Sequence, residues 1–188
     1  MRKARAALPA EHRRLLDEIG AQETVVADWP QGVLNLYLTL RERPPSPVQL
    51  ERAAAAWLEA RRTVAFNLAF FTTIVEGLDD RAREQVVAHV AWHEYGHALS
   101  VTRSTWHQRR EGPRLHALLP PDLRDAIDFP GLYRRDQLFD EVIATIYPVM
   151  VERVRNGDYR AAEFLHPEVR RAFEEMIPWP PSRPTDQT

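Results

Sequence analysis

The sequence contains no cysteine, a single lysine and no long apolar run. Without cysteine, disulfides and thiolate metal sites are excluded, so any metal must be held by histidine, carboxylate or backbone oxygen. No apolar run approaches the roughly 18 residues that a membrane-spanning helix needs. The formal net charge of -2 provides no electrostatic basis for binding nucleic acid or an anionic membrane. We therefore expect neither a nucleic-acid nor a membrane partner.

The length and the two ends of the chain favour one cytoplasmic domain. The 188 residues, of which 44% are hydrophobic, are enough to bury a core. The basic N-terminus lacks the apolar core of a signal peptide, because charges resume at Glu11. We expect a single domain over residues 1–177 and an extended or disordered proline-rich tail over residues 178–188.

Hydrophobic periodicity and turn signals predict an α+β fold, with a small N-terminal sheet and a mostly helical C-terminal half. Strands are expected at 23–28, 33–40 and 63–75, and the first two form a hairpin across the turn at 29–32. Residues 41–47 are expected to be a loop. Helices are expected at 9–19, 48–62, 80–102, 135–156, 158–165 and 167–177, with Asp79 or Asp80 as a cap and Pro148 as a kink or break. Residues 103–134 are expected to be irregular, apart from a short helix at 121–128, and connections of this length often carry function.

The stretch AWHEYGHALS carries two histidines four residues apart, His93 and His97, with Glu94 directly after the first. On a helix, such residues share one face with Cβ atoms about 5–6 Å apart, so both imidazoles can reach one ion. Glu94 projects to one side of this pair, where it can contact a water on the metal. The arrangement is typical of a zinc site in which two ligands and a general base share one helix. Small residues around the motif are expected to leave room for the ion: Ala91, Gly96 and Ala98.

The motif leaves the third ligand of the metal unassigned, although a catalytic zinc usually has three protein ligands and an open position for water. One known motif continues with a glycine and a third histidine, but Ser100 and Arg103 occupy those positions here. Glu141 on a later helix is the best candidate, because a carboxylate among apolar neighbours is unfavourable unless it is paired or bound to metal. Ala144, three residues further on, is small and is expected to face the histidine helix.

The order His93-Glu94-x-x-His97 followed by Glu141-x-x-Ala144 resembles the gluzincin group of zinc metallopeptidases, over the two motif helices and the preceding strand. The resemblance implies a zincin-like fold in which the small sheet packs on the motif helix, and Zn²⁺ bound by His93, His97 and Glu141. It implies hydrolysis of a peptide or protein substrate with Glu94 as the general base. It also implies an edge strand, expected at 63–72, that pairs with the extended substrate. The H-E-x-G-H form is similar to that of ImmA/IrrE-type metallopeptidases, whose two motifs usually lie closer together.

Several other polar residues near the motifs have more than one interpretation. Asp140 either accepts a hydrogen bond from a liganding imidazole or is a solvated helix residue. His89 is either a polar group at the site or a packing or surface residue. The arginines at 103, 109, 110 and 114 either favour acidic substrates or belong to a solvated loop. Five side chains are candidates for stabilising an oxyanion, and the sequence does not choose among them: Tyr133, Tyr147, His107, His116 and His166.

Two rival functions remain open beside the peptidase. In a non-catalytic regulatory or partner-binding protein, the zinc would be structural or vestigial, and a fourth protein ligand such as His116 or Asp140 is expected. In the other rival, the helix carries two histidines and binds no metal. The peptidase hypothesis instead requires three protein ligands and an open position that faces a groove.

Overall fold

The structure, a computed structural model, describes residues 1–29, 31–40, 46–101, 103–127 and 131–179. The N-terminal part contains three strands and five helices: α1 (Arg2–Ala6), α2 (Ala10–Glu18), β1 (Gln22–Val26), α3 (Gln31–Leu40), α4 (Pro47–Arg52), β2 (Ala55–Leu58), β3 (Thr63–Asn67) and α5 (Leu68–Ile74). Helices make up the remainder: α6 (Asp80–Val101), α7 (Trp106–Arg110), α8 (Gly112–Ala117), α9 (Pro121–Asp125), α10 (Leu138–Arg155) and α11 (Pro167–Met176). The α+β class and the helical C-terminal half are therefore confirmed.

The described strands form one sheet in the order β1–β3–β2. β1 runs parallel to β3 and places Gln22 opposite Thr63, whereas β2 runs antiparallel and places Leu58 opposite Thr63. β3 is therefore the central strand, and all of its residues are buried. The prediction of a substrate-binding edge at 63–72 is wrong, because the sheet edges are β1 and β2.

The predicted strand at 33–40, and with it the hairpin to 23–28, is wrong because this segment is helix α3. So many of its residues are apolar that the sequence fits the 3.6-residue period of a helix as well as the two-residue alternation of a strand. Val33 and Tyr37, four residues apart, are buried and pack together against Leu58 and Ala65 of the sheet. The sheet face opposite α6 is thus covered by a helix. The predicted loop at 41–47 falls largely on residues 41–45, which lie outside the described residues.

The boundary between helix and strand also differs from the prediction over residues 48–75. The predicted helix at 48–62 ends at Arg52, and the alanine-rich segment after it forms β2, because pairing with β3 outweighs the helix propensity of alanine. The predicted strand at 63–75 ends at Asn67, whose side-chain oxygen accepts a hydrogen bond from the Phe70 amide at 3.1 Å. Asn67 is therefore the N-cap of α5, a stop signal that the strand prediction overlooked.

The two longest helices form the framework of the C-terminal half, close to their predicted bounds. α6 runs from Asp80 to Val101, and the Asp79 carboxylate caps it by accepting a hydrogen bond from the Ala82 amide at 2.8 Å. α10 continues through Pro148 to Arg155, so of the two predicted effects of this proline, a kink or a break, the break does not occur. The connection at 103–134 is more helical than predicted, since it contains α7, α8 and α9. The segment 158–165, which was predicted to be helical, holds only a short 3-10 helix, Ala161–Phe164. Across the described segments, no helix is both long enough and apolar enough to cross a membrane.

The start of the predicted tail is packed against the domain by His12 of α2. The fully buried His12 ring donates from Nε2 to the Pro178 carbonyl at 3.0 Å, and its Nδ1 accepts from the Tyr147 hydroxyl at 3.0 Å. A carbonyl only accepts, so the proton is on Nε2, and burial, which lowers the pKa of His12, favours the neutral ring in which Nδ1 is an acceptor. Trp179 stacks near the same ring, with ring centroids 5.8 Å apart. Residues 180–188 lie outside the described residues.

Burial lowers the pKa of His12, and this shift makes stability depend on pH. The unfolded chain takes up the proton at higher pH than the folded chain, so the free energy of unfolding should decrease as pH falls below about 6.5. Replacing His12 by glutamine should remove this part of the pH dependence and destabilise the domain by about 1–3 kcal/mol near neutral pH. Urea unfolding of both proteins at a series of pH values measures the difference. The exposed His107 provides a matched His107→Gln control, and equal pH dependence in all three proteins would contradict the prediction.

Candidate metal centre

The centre lies where α6 crosses α10 at very close range. A Cβ atom added to Gly96 would lie 2.8 Å from the Ala144 Cα atom and 3.1 Å from the Tyr147 Cβ atom. Distances this short leave no space for a side chain at position 96. The small residues Gly96 and Ala144 therefore let the two helices touch. The expectation that Gly96 leaves room around an ion is wrong, because this contact fills the space beside it.

The close approach predicts that a Gly96→Ala variant is destabilised. Helix propensity alone would favour alanine by about 1 kcal/mol, but a methyl group placed against backbone atoms typically costs about 1–3 kcal/mol. Because the nearest atom is the Ala144 Cα, which cannot rotate away, the clash should dominate. Chemical unfolding should show a net loss of stability. A gain of the size that helix propensity gives would contradict the close packing.

The three predicted ligands, His93, His97 and Glu141, meet in one cluster. Their donor atoms all lie within 4.8 Å of one another, and no other such group of His, Cys, Asp or Glu occurs among the described residues. The Nε2 atoms of His93 and His97 are 3.2 Å apart. The Glu141 carboxylate lies 3.4 Å from His97 Nε2 and 3.7 Å from His93 Nε2. The exposed fraction of each of these side chains is between 12% and 25%, so the cluster is largely shielded from solvent.

Burial and neighbouring charges separate the pKa values within the cluster. Burial, reinforced by the His97 charge, lowers the pKa of His93 to about 3, so this imidazole is neutral near pH 7 and keeps a lone pair. Burial also disfavours charge on His97, but the Glu141 carboxylate outweighs it and raises the His97 pKa to about 9. The same attraction holds the pKa of Glu141 below its usual value despite burial. His97 and Glu141 therefore form an imidazolium–carboxylate pair, in which a divalent cation can take the place of the proton.

Glu94 lies between this cluster and strand β2. The buried carboxylate accepts a hydrogen bond from the Trp57 backbone amide. Burial raises the Glu94 pKa to about 7, with the His97 charge opposing and the Glu141 charge reinforcing the shift. The contact with Trp57 was not predicted, because Trp57 lies in an alanine-rich segment that was expected to be a helix and is an edge strand in the structure. It places the candidate general base beside the ligands and beside a sheet edge.

One of the five oxyanion candidates contacts the cluster. The Tyr133 hydroxyl hydrogen-bonds to Glu141. Tyr147 instead binds His12, His116 Nε2 lies 3.3 Å from the Arg124 carbonyl, and His166 caps α11. His107 is exposed on α7, beside Trp106. Among these candidates, Tyr133 is the one that the structure brings to the ligands.

The remaining polar candidates have intramolecular partners or surface positions. Asp140 is buried and pairs with Arg109, and no hydrogen bond to a liganding imidazole is found for it among the described residues. His89 lies on an exposed part of α6. The other three arginines have contacts of their own: Arg103 with the Met176 carbonyl, Arg110 over the Trp106 ring, and Arg114 with Glu111 and Glu168.

Comparison of the chain with protein-family models, curated proteins and solved structures returns no match. The chemistry of the centre must therefore be judged from its own geometry. In the part of the chain that the structure describes, His116 and Asp140 have other partners, and neither joins the three ligands as a fourth.

Proposed function

We propose that this protein is a zinc-dependent peptide hydrolase with a zincin-like fold. The observation that carries the proposal is the convergence of His93, His97 and Glu141, with Glu94 beside them. A cytoplasmic location and a peptide or protein substrate belong to the same proposal.

The donor set supports zinc over other divalent ions. Two imidazole nitrogens and one carboxylate are a common ligand set for catalytic zinc, whereas calcium and magnesium prefer oxygen ligands. In a tetrahedral site with bonds of about 2.0–2.1 Å, neighbouring donor atoms lie about 3.3 Å apart. The two imidazole nitrogens are 3.2 Å apart, and with one carboxylate oxygen of Glu141 as the third donor all three atoms lie within 4.8 Å of one another, so side-chain adjustments would draw the carboxylate in to bind an ion. Zinc bound by these residues would supply a polarised water of lowered pKa.

Three protein donors favour a catalytic site over a structural one. Structural zinc normally has four protein ligands, and the described residues supply three. The fourth position is then available to water. This distinction supports the hydrolase over the non-catalytic zinc-binding protein.

Glu94 would serve as the base that takes a proton from the attacking water and passes it to the leaving amine. Its carboxylate is fixed on one side by the Trp57 amide, which limits its rotation. The Tyr133 hydroxyl donates its one proton to Glu141 here, and it would turn from that carboxylate to donate a hydrogen bond to the oxyanion that develops at the substrate carbonyl. Glu94 would thus move a proton between the reacting atoms, and Tyr133 would hold its proton toward the oxyanion.

In this proposal the substrate pairs with β2 rather than with the predicted segment 63–72. The Asn67 amide donates to the Ala54 carbonyl at 2.9 Å, so alternate residues of the β2 segment pair with β3. The backbone groups of Ala55 and Trp57 consequently point toward the outer edge of the sheet. This edge borders the candidate centre, because the Trp57 amide meets Glu94. The Trp57 carbonyl accepts a hydrogen bond from the Tyr37 hydroxyl at 3.5 Å, so an extended peptide that adds to this edge would pair with the backbone of Ala55.

Incubation of the zinc-loaded protein with a diverse peptide library, followed by mass spectrometry, tests the proposal. We expect cleavage products that disappear when a chelator removes the metal and return when zinc is restored. Stoichiometric zinc without any cleavage would favour the non-catalytic alternative. A protein that binds no zinc would contradict both.

A further inference from the structure

Asp140, the residue before the proposed ligand Glu141, is a buried carboxylate that is paired with an arginine of α7. It lies in the first turn of α10 and is only 8% exposed. Its Oδ2 atom is 3.4 Å from Nε of Arg109, whereas its Oδ1 atom is buried without a hydrogen-bond partner among the described residues. A buried carboxylate with one unpaired oxygen is unfavourable. Arg109, whose charge acts on Asp140 more strongly than that of His97, therefore has a large effect on where this carboxylate can lie.

Arg109 belongs to α7, within the connection between the two motif helices. Its Nε also donates to the Ser104 hydroxyl at 3.1 Å, and Ser104 hydrogen-bonds to Asp140. Ser104 follows the end of α6 by three residues. The cluster of Ser104, Arg109 and Asp140 therefore links the histidine helix, α7 and the start of the Glu141 helix.

The start of α8 packs against the same turn of α10. A Cβ atom on Gly112 would lie 2.5 Å from the Phe139 amide nitrogen and 2.9 Å from the Leu138 Cβ atom. The N-terminus of α10 has no side-chain cap of its own, since Gln137 makes no capping hydrogen bond. Contacts from the connection, rather than a local cap, thus hold the first turn of α10 in place.

We propose that Arg109 and Asp140 are positioning residues that fix the Glu141 carboxylate for metal binding. This inference rests on the proposed function, because it assumes that Glu141 is a metal ligand. Glu141 follows Asp140 in the same turn, which has no side-chain cap, so a shift of that turn moves the Glu141 carboxylate relative to the two imidazoles. The connection between the motif helices consequently controls the affinity of the centre for its metal.

Zinc affinity of an Arg109→Ala variant, measured by competition with a chromophoric chelator, tests the inference. We expect affinity to fall by about 10–100-fold, the usual effect of losing a residue that supports a metal ligand. The absorption spectrum of bound cobalt(II) should also change, because it reports ligand geometry. An Arg109→Lys variant, which keeps a cation near Asp140, should recover most of the affinity.

Arg110→Ala is the matched control, since Arg110 lies on the same helix but stacks on Trp106, with its guanidinium carbon 4.7 Å from the ring centroid. It should bind zinc and cobalt as the unsubstituted protein does. Thermal unfolding of each variant separates a loss of fold from a loss of ligand geometry. If Arg109→Ala lowers stability alone and leaves zinc affinity and the cobalt spectrum unchanged, the inference is overturned while the proposed function stands. An unsubstituted protein that binds no zinc would overturn both.

Discussion

A Glu94→Gln variant is expected to lose peptide hydrolysis by at least about 100-fold while it still binds zinc, because general-base catalysis typically contributes about 10²–10⁴-fold. Glutamine has the size of glutamate, and its side-chain oxygen can still accept the hydrogen bond from the Trp57 amide. It cannot accept a proton from water. Zinc content by elemental analysis and initial rates on a cleaved peptide provide the two measurements.

Glu84→Gln is the matched control for this variant. Glu84 lies on the same helix, but its side chain is 62% exposed and pairs with Lys3 at the surface. The control should retain both zinc and activity. Full hydrolytic activity in Glu94→Gln would contradict the assigned role of Glu94. Loss of zinc from that variant would instead indicate that Glu94 is itself a ligand.

A Glu141→Gln variant should lose zinc affinity by more than about 100-fold, since even residues that merely support a ligand contribute about 10–100-fold. The amide keeps the volume of the carboxylate, so the packing of α6 on α10 is preserved. It removes the charge that raises the pKa of His97 to about 9, and the His97 pKa should therefore fall. Calorimetric zinc titration and NMR titration of the histidine rings measure the two effects.

The exposed Glu152 on the same helix α10 provides the control substitution Glu152→Gln, which should bind zinc normally. Unchanged zinc affinity in Glu141→Gln would show that the third ligand is another residue. If the unsubstituted protein binds no zinc, the cluster is a metal-free network of two histidines and a glutamate. In that case Glu141→Gln would change only stability and the His97 pKa.

The convergence of the three candidate ligands could be predicted because both helices that carry them have strong local signals. α6 has a cap at Asp79 and a long helical pattern, and α10 has an apolar stripe that makes Glu141 conspicuous. Spacing within a helix fixes the relation of His93 to His97. Glu141 reaches the two histidines because α6 and α10 touch at Gly96 and Ala144. The sequence indicated only that both of these residues are small.

The sheet could not be predicted in the same way, because its strands are short and are specified by tertiary contacts. β2 lies within an alanine-rich stretch of high helix propensity and becomes a strand by pairing with β3. α3 contains an alternating apolar pattern, yet forms a helix because Val33 and Tyr37 cover the sheet. The contact of Glu94 with Trp57 and the pairing of Arg109 with Asp140 join segments distant in sequence, and neither leaves a local pattern.

Zinc-edge X-ray absorption spectroscopy of the zinc-loaded protein tests the central claim most directly, because it reports the number and type of atoms around the ion. We predict four ligands at about 2.0–2.1 Å, namely two imidazole nitrogens, one carboxylate oxygen and one water oxygen. The water signal should change when a zinc-binding inhibitor is added, and one imidazole contribution should disappear in a His97→Ala variant. Four protein ligands with no exchangeable water, or a spectrum that His97→Ala leaves unaltered, would contradict the proposed centre.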